Sequence, residues 1–272
     1  MSTRDERWPE GTPAWVDLMV PDRQTARKFY GPLFGWDFEE SGPEYGYYTT
    51  CLLGGRAAAA IGSAPDPGEG APGPAAPPPS WTTYLATNDI AAAVERAVEA
   101  GGQVIAGPLE IGEMGSMAVL ADPTGAVFGL WESGTHTGAD VVDEPGALVW
   151  NEVMTRDVPV AREFYRALFP YTFGDMSGPG FTYMTLDVDG RISGGLGGLP
   201  SDTPSDVPSA WTTYFAVKDT DAWVSRALAL GGRLLSPAAD SAYGRMAVIQ
   251  GPFGETFAVM STEEESTPPL TS

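Results

Sequence analysis

Apolar and polar positions alternate along Trp15-Val16-Asp17-Leu18-Met19-Val20. At Asp22 the alternation gives way to apolar residues three and four apart, Ala26, Phe29, Tyr30 and Leu33. The first pattern predicts a strand over 11–20. The second predicts a helix over 23–34, capped by Asp22 and stopped by Gly35. Short strands are expected over 36–40, 46–53 and 56–61, with Gly54-Gly55 as a hairpin turn. The stretch 62–80, rich in Pro, Gly and Ala, reads as a surface linker. The order then recurs: a strand over 81–87, a helix from an Asn88 or Asp89 cap to residue 100, and strands over 103–105, 116–121 and 126–131. Asp122-Pro123-Thr124-Gly125 is the turn before the last of these.

The second half of the chain repeats the first. Trp15, Tyr30, Tyr48 and Arg56 match Trp150, Tyr165, Tyr183 and Arg191, each pair 135 residues apart. Trp81-Thr82-Thr83-Tyr84 matches Trp211-Thr212-Thr213-Tyr214 at a separation of 130, so the length difference lies in the linkers. A repeat of this kind predicts two homologous domains built from four βαβββ units. The expected division is a flexible tail at 1–10, a first domain at 11–133, a linker at 134–145, a second domain at 146–262 and a tail at 263–272. At 272 residues each domain has length enough for its own core. The run Ser193-Gly194-Gly195-Leu196-Gly197-Gly198 reads as a turn opening a linker, because it lacks the strand-to-helix setting of a phosphate loop.

Composition narrows the function classes. No apolar run is as long as a membrane span and the N-terminus has no signal-peptide core, so a cytoplasmic location is expected. The formal charge of −21 repels nucleic acid and anionic membranes, and neither is an expected partner. The single cysteine, Cys51, excludes an internal disulfide and reads as a small buried strand residue. The single histidine, His136, falls in the predicted linker, where a solvent-exposed position is expected. Arg56 and Arg191 read as pairing partners, and Tyr30 and Tyr165 as helix packing.

The Val20-Pro21-Asp22 strand end, Phe29-Tyr30, Leu33-Phe34-Gly35-Trp36 and the Asp122-Pro123-Thr124-Gly125 turn together resemble the vicinal oxygen chelate superfamily of glyoxalases, bleomycin-resistance proteins and extradiol dioxygenases. The tandem form with Trp on its first strand is similar to the hydroxylase-like group that includes the mycobacterial 27 kDa antigen. The resemblance implies an α+β fold. Each of two tandem glyoxalase-fold domains would be a pair of βαβββ units forming a curved mixed sheet around a cavity. It also implies where a metal ion would be held: positions Trp15 and Trp150, Thr82 and Thr212, and Gly129 and Ala258. None of these is a usual metal ligand, so neither a metal nor another cofactor is expected.

Strand alternation puts Trp15, Asp17 and Met19 on one face and Trp150, Glu152 and Met154 on its equivalent. An acid beside a Trp on a cavity wall must be hydrogen-bonded, paired or raised in pKa. Thr82, Tyr84, Thr212 and Tyr214 share that side. Tyr48 and Tyr183 occupy matching strand positions whose direction the sequence leaves open. The expected function is metal-independent binding of a small hydrophobic or aromatic molecule, with natural-product biosynthesis or self-resistance as the implied setting. Trp15, Met19, Tyr48, Thr82, Tyr84, Trp150, Met154, Tyr183, Thr212 and Tyr214 would line the site, and Asp17 and Glu152 would fix the ligand's polar group. The alternatives are a metal-free isomerase, cyclase or hydratase using those two acids as general acid or base, a metal-dependent glyoxalase or dioxygenase, and an interaction module with filled cavities. A homodimer is compatible with the sequence.

Overall fold

The computed structural model of the chain describes residues 6–64, 78–241 and 243–261. The remainder of the predicted tails and of the first linker lies outside the described residues. The first unit is β1 (Pro13–Val20), α1 (Arg23–Phe34), β2 (Asp37–Glu40), β3 (Thr49–Leu53) and β4 (Arg56–Ser63). The second is β5 (Trp81–Ala86), α2 (Ile90–Glu99), β6 (Gln103–Glu110), β7 (Gly115–Ala121) and β8 (Val127–Ser133). The third is β9 (Leu148–Thr155), α3 (Val158–Leu168), β10 (Thr172–Asp175), β11 (Tyr183–Val188) and β12 (Arg191–Gly198). The fourth is β13 (Ala210–Ala216), α4 (Thr220–Ala229), β14 (Arg233–Ser241), β15 (Gly244–Gln250) and β16 (Thr256–Ser261).

Local chemistry sets these boundaries. Asp22 caps α1 by accepting from the Gln24 and Thr25 amides, and Gly35 ends it in the left-handed region at φ 76°. Asp89, Asp157 and Asp219 cap the other three helices in the same way. The glycine-rich run 193–198 is strand, not turn: it lies inside β12, paired with β11 and β9.

Two eight-stranded mixed sheets result. Their orders are β2-β3-β4-β1-β5-β8-β7-β6 and β10-β11-β12-β9-β13-β16-β15-β14. In each, the two units meet at an antiparallel central pair, β1 with β5 and β9 with β13. Among the described residues no helix is long and apolar enough to cross a membrane.

The two cores do not follow the two halves of the chain. One joins β1, α1 and Trp81 to Phe215, Phe257 and Val259 of the second sheet. The other joins Leu85, Phe128 and Leu130 to Val153, Phe164, Tyr165 and Trp211. Each half therefore shares its larger core with the other, because the sheets bury their helix-bearing faces against each other, and keeps only a smaller cluster of its own on the opposite face. At the centre Asn151 Oδ1 accepts from the hydroxyls of Thr83 (2.9 Å) and Thr213 (3.1 Å). Tyr30 and Tyr165 pack as expected and also bond across the interface. Trp81 donates to Tyr30, which donates to Glu255 at 2.7 Å. Trp211 donates to Tyr165, which donates to Asp122 at 3.1 Å.

Trp8 to Glu10, expected within a flexible tail, and Gly11 after it are held in place. Glu10 bonds Arg96, Asn88 and Thr87, the Gly11 amide donates to Ala86 O, and Tyr171 donates to Gly11 O.

Candidate functional site

Burying one side of each sheet under helices leaves the opposite side to carry the polar aromatic residues. Trp15, Asp17 and Met19 alternate onto it from β1. In the register of the central pair, Tyr84 lies opposite Trp15 and Thr82 opposite Asp17. The second sheet repeats this, with Tyr214 opposite Trp150 and Thr212 opposite Glu152. Thr82, Thr212, Met19 and Met154 are half-buried there.

Each acid is clamped by two tyrosines. Asp17 Oδ2 accepts from Tyr48 and Tyr84, both at 3.1 Å, and Trp15 Nε1 donates to Tyr48 at 3.0 Å. Glu152 Oε1 accepts from Tyr214 at 2.6 Å. Its Oε2 accepts from Tyr183 at 2.5 Å and from Trp150 Nε1 at 3.3 Å. Tyr48 and Tyr183, whose direction the sequence left open, thus point at the acids. Each crosses a neighbouring strand to do so, over Ala60 in the first sheet and Gly195 in the second, the residues in register with Asp17 and Glu152. A β-carbon on Gly195 would stand 2.0 Å from the Tyr183 oxygen, so this strand position requires glycine.

The two sites differ in burial. Asp17 is 4% exposed, and its Oδ1 is buried with no hydrogen-bond partner. Burial raises its pKa to about 6, against the lowering effect of the two tyrosine bonds. Burial and the adjoining carboxylates push the hydroxyls of Tyr48, Tyr84, Tyr183 and Tyr214 above the usual phenol range, which keeps all four as donors. Glu152 and Trp150 are half-buried. Cys51 is fully buried and burial pushes its thiol up, consistent with a packing role.

The cause is the segment connecting the sheets. Ala139 and Val142 pack with Trp15, Tyr84, Trp131 and Met117 on the helix-free face of the first sheet. Asp140 exchanges bonds with Ala57: its amide donates to Ala57 O, and its Oδ2 accepts from the Ala57 amide. His136, expected in solvent, stands edge-on to Trp15 with ring centroids 4.5 Å apart and to Trp131 at 5.5 Å. Burial lowers its pKa. Arg56 anchors the segment through a bidentate pair with Glu144 at 2.6 and 3.0 Å. The matching cluster of the second sheet, Tyr214, Ala258 and Met260 with Trp150 and Met246, contains only that sheet's own residues.

An open cavity of about 770 Å³ adjoins the second site. Trp150, Asn151, Thr185, Arg191 and Tyr243 of the second half line it, together with Trp8 and Pro13 of the first half and Val142 of the connecting segment. Glu152, Met154 and Tyr214 do not line it. Trp150 links the two, since it lines the cavity while its N–H reaches Glu152 and Tyr183.

The positions that the resemblance assigns to metal ligands do not fit a metal ion. They hold two indoles, two threonines, Gly129 and Ala258. A β-carbon on Gly129 would stand 2.1 Å from the Tyr84 ring, so a ligating side chain there would collide with the tyrosine that clamps Asp17. Among the described residues no group of three or more His, Cys, Asp or Glu is placed to hold a metal.

Residues 12–130 match the Glyoxalase/Bleomycin resistance protein/Dioxygenase superfamily. Over 265 residues the chain is 39% identical to "Putative glyoxylase CFP32" of Mycobacterium tuberculosis, covering 96% of this chain and 98% of that protein. The chain belongs to this superfamily. It is also 37% identical over 265 residues to "Anthracycline biosynthesis protein DauV" of Streptomyces sp. (strain C5), covering 95% of this chain and 96% of that protein. Among solved structures it resembles the Mn(II)-bound glyoxalase from Novosphingobium aromaticivorans, with a TM-score of 0.63 and 13% identity over 94% of this chain and 83% of that one. It resembles 2,2',3-trihydroxybiphenyl 1,2-dioxygenase from Sphingomonas wittichii strain RW1 similarly, with a TM-score of 0.60 and 13% identity over 93% and 91%. These structural likenesses carry the tandem glyoxalase fold and nothing about chemistry.

Of the residues singled out from sequence, Trp15, Asp17, Tyr48 and Tyr84 form one cluster and Trp150, Glu152, Tyr183 and Tyr214 its counterpart. Sequence reasoning missed His136, Ala139, Gly195 and Tyr243. Only Gly195 left a signal, in the glycine-rich stretch where the first repeat has alanines.

Proposed function

We propose that this protein binds a small aromatic organic molecule, without a metal ion, in the open cavity that adjoins the Trp150 cluster of its second sheet. One observation carries the reading. The Trp150–Tyr183–Glu152–Tyr214 cluster adjoins an open cavity, whereas its counterpart at Asp17 is closed by the chain's own connecting segment. The apolar faces of Trp150 and Tyr243 suit a flat ring system, and Arg191, Asn151 and Thr185 in the cavity lining supply polar contacts. The relative named for anthracycline biosynthesis favours a natural-product setting.

Calorimetric titration with polycyclic aromatic compounds tests the reading. One molecule is expected per chain, with affinity reduced at least about tenfold in Trp150→Ala and unchanged in Tyr84→Phe. Absence of saturable binding across several ring systems would overturn it.

A second reading, a metal-free enzyme, is favoured by the short bonds from Tyr183 and Tyr214 to Glu152. These would let the carboxylate take a proton while the phenols hold its position. In that case Glu152→Gln abolishes turnover of a bound compound while leaving binding largely intact.

A further inference from the structure

Resting on the binding reading above, we infer that the open cavity selects an aromatic ligand carrying a carboxylate, with Arg191 as the residue that holds it. The first sheet supplies the precedent, because the chain's own connecting segment occupies the matching position there. His136 stands edge-on to Trp15, and Ala139 and Val142 pack with the same cluster. The Glu144 carboxylate of that segment takes both terminal nitrogens of Arg56, at 2.6 and 3.0 Å, and Asp140 bonds the backbone of Ala57. An aromatic ring beside the tryptophan and a carboxylate on the arginine are thus already combined in one occupant.

Arg191 stands in the same place on the second sheet. Arg56 lies opposite Leu53 where β4 begins, and Arg191 lies opposite Val188 where β12 begins. Arg191 has no counterpart of Glu144: among the described residues it forms no ion pair. Ile192, the counterpart of Ala57, is 58% exposed, against 9% for Ala57. Arg191, Ile192 and Trp150 all line the same cavity. A guanidinium offers five N–H donors in a fork that matches a carboxylate, so the second sheet presents this recognition group without its occupant.

Two acids, Asp143 and Asp189, line the cavity as well and oppose an anion. The first sheet shows that an arginine at this position tolerates such company. Asp140 and Glu144 both lie near Arg56 and raise its pKa, and the bidentate pair with Glu144 forms beside the second acid. Burial also raises the pKa of Asp143, so its charged form is already disfavoured. The chain's charge of −21 repels an anion at longer range, where physiological salt screens it beyond about 8 Å. A two-bond contact at hydrogen-bond distance is stronger than that residual field.

The test compares two probes that share a ring system and a tether, 1-pyrenebutyrate and 1-pyrenebutyramide, titrated into the wild-type protein at neutral pH and about 0.15 M ionic strength. The butyrate should bind at least about tenfold tighter than the amide. In Arg191→Gln that preference should fall below about threefold, while the amide's affinity stays within about threefold of wild type. Arg191→Lys keeps the charge and loses the fork, so it should retain only part of the preference. Equal binding of the two probes, or tighter binding of the amide, would overturn this inference and leave the aromatic binding reading standing. Failure of both probes to bind would overturn the binding reading, and this inference with it. A preference that survives intact in Arg191→Gln would put the carboxylate elsewhere in the cavity and sink the assignment to Arg191.

Discussion

The Tyr183 hydroxyl lies over the α-carbon of Gly195 and reaches Glu152 across the space a side chain would fill. In the first repeat the corresponding pair is Ala60 and Asp17. There the acid is one methylene shorter and the residue beneath the tyrosine one methyl larger. The two repeats reach the same clamp by offsetting changes in size.

Gly195→Ala should therefore destabilise the protein by about 1–3 kcal/mol, the cost of overpacking. The sign is diagnostic, because replacing a strand glycine with alanine at an unobstructed position stabilises by about 0.5–1 kcal/mol. Adding Glu152→Asp should recover part of the loss by imitating the first repeat. Urea unfolding of the three variants measures this, and a stabilised single variant would mean Tyr183 does not occupy that position.

His136→Ala removes two edge-to-face contacts, with Trp15 and Trp131. Aromatic pairs contribute about 0.5–1.5 kcal/mol each, so a loss of about 1–3 kcal/mol is expected. The same variant should make the first site more accessible, raising quenching of tryptophan fluorescence by acrylamide. Unchanged stability and quenching together would show that the connecting segment does not fill the first site.

Asp17→Asn tests the buried acid through pH. Asp17 has a folded-state pKa of about 6 against an ordinary value of 3.8. The protonated form is thus favoured in the folded state. Its contribution to stability is complete below about pH 4 and lost as pH rises through about 6. A rise of about two units corresponds to about 3 kcal/mol. Wild-type stability should fall relative to Asp17→Asn by up to that amount between pH 4 and 7.5, read from urea midpoints at each pH. A difference that stays flat with pH would place the Asp17 pKa at its ordinary value.

How much of this was legible in the sequence follows from how local each signal is. The aspartate caps, the helix faces and the 135-residue repeat are written in short spacings, and period-two alternation put Trp15 and Asp17 on one face. The clamp itself needed Tyr48 and Tyr183 to cross a neighbouring strand, which no spacing within one strand reports. Glycine shows no face, so β12 lost its alternation and read as a turn. The connecting segment looked polar because only Ala139, Val142 and the ring of His136 enter the first site. The shared cores were hidden for a related reason, since contacts such as Phe34 with Phe215 join residues far apart in the chain.

Glu255 illustrates a further change the repeat alone disguises. Asp122, which caps the turn before β8 and accepts from Tyr165, is replaced in the second half by Gly251. The lost carboxylate is resupplied four residues later: Glu255 is 1% exposed and accepts from Tyr30 and from the Phe253 amide at 2.8 Å. Its carboxylate fills the room above Gly251, where a β-carbon would stand 2.1 Å from Oε1. Glu255→Ala should cost about 1.5–3 kcal/mol, because it leaves the buried Tyr30 hydroxyl and the half-buried Phe253 amide without an acceptor. Gly251→Asp alone should also destabilise, through collision with Glu255. The double variant rebuilds the first repeat's arrangement, so it should be more stable than either single change. Thermal and urea unfolding would show this as a favourable coupling between the two sites. Simple additivity would mean that the two carboxylates do not serve the same tyrosine position.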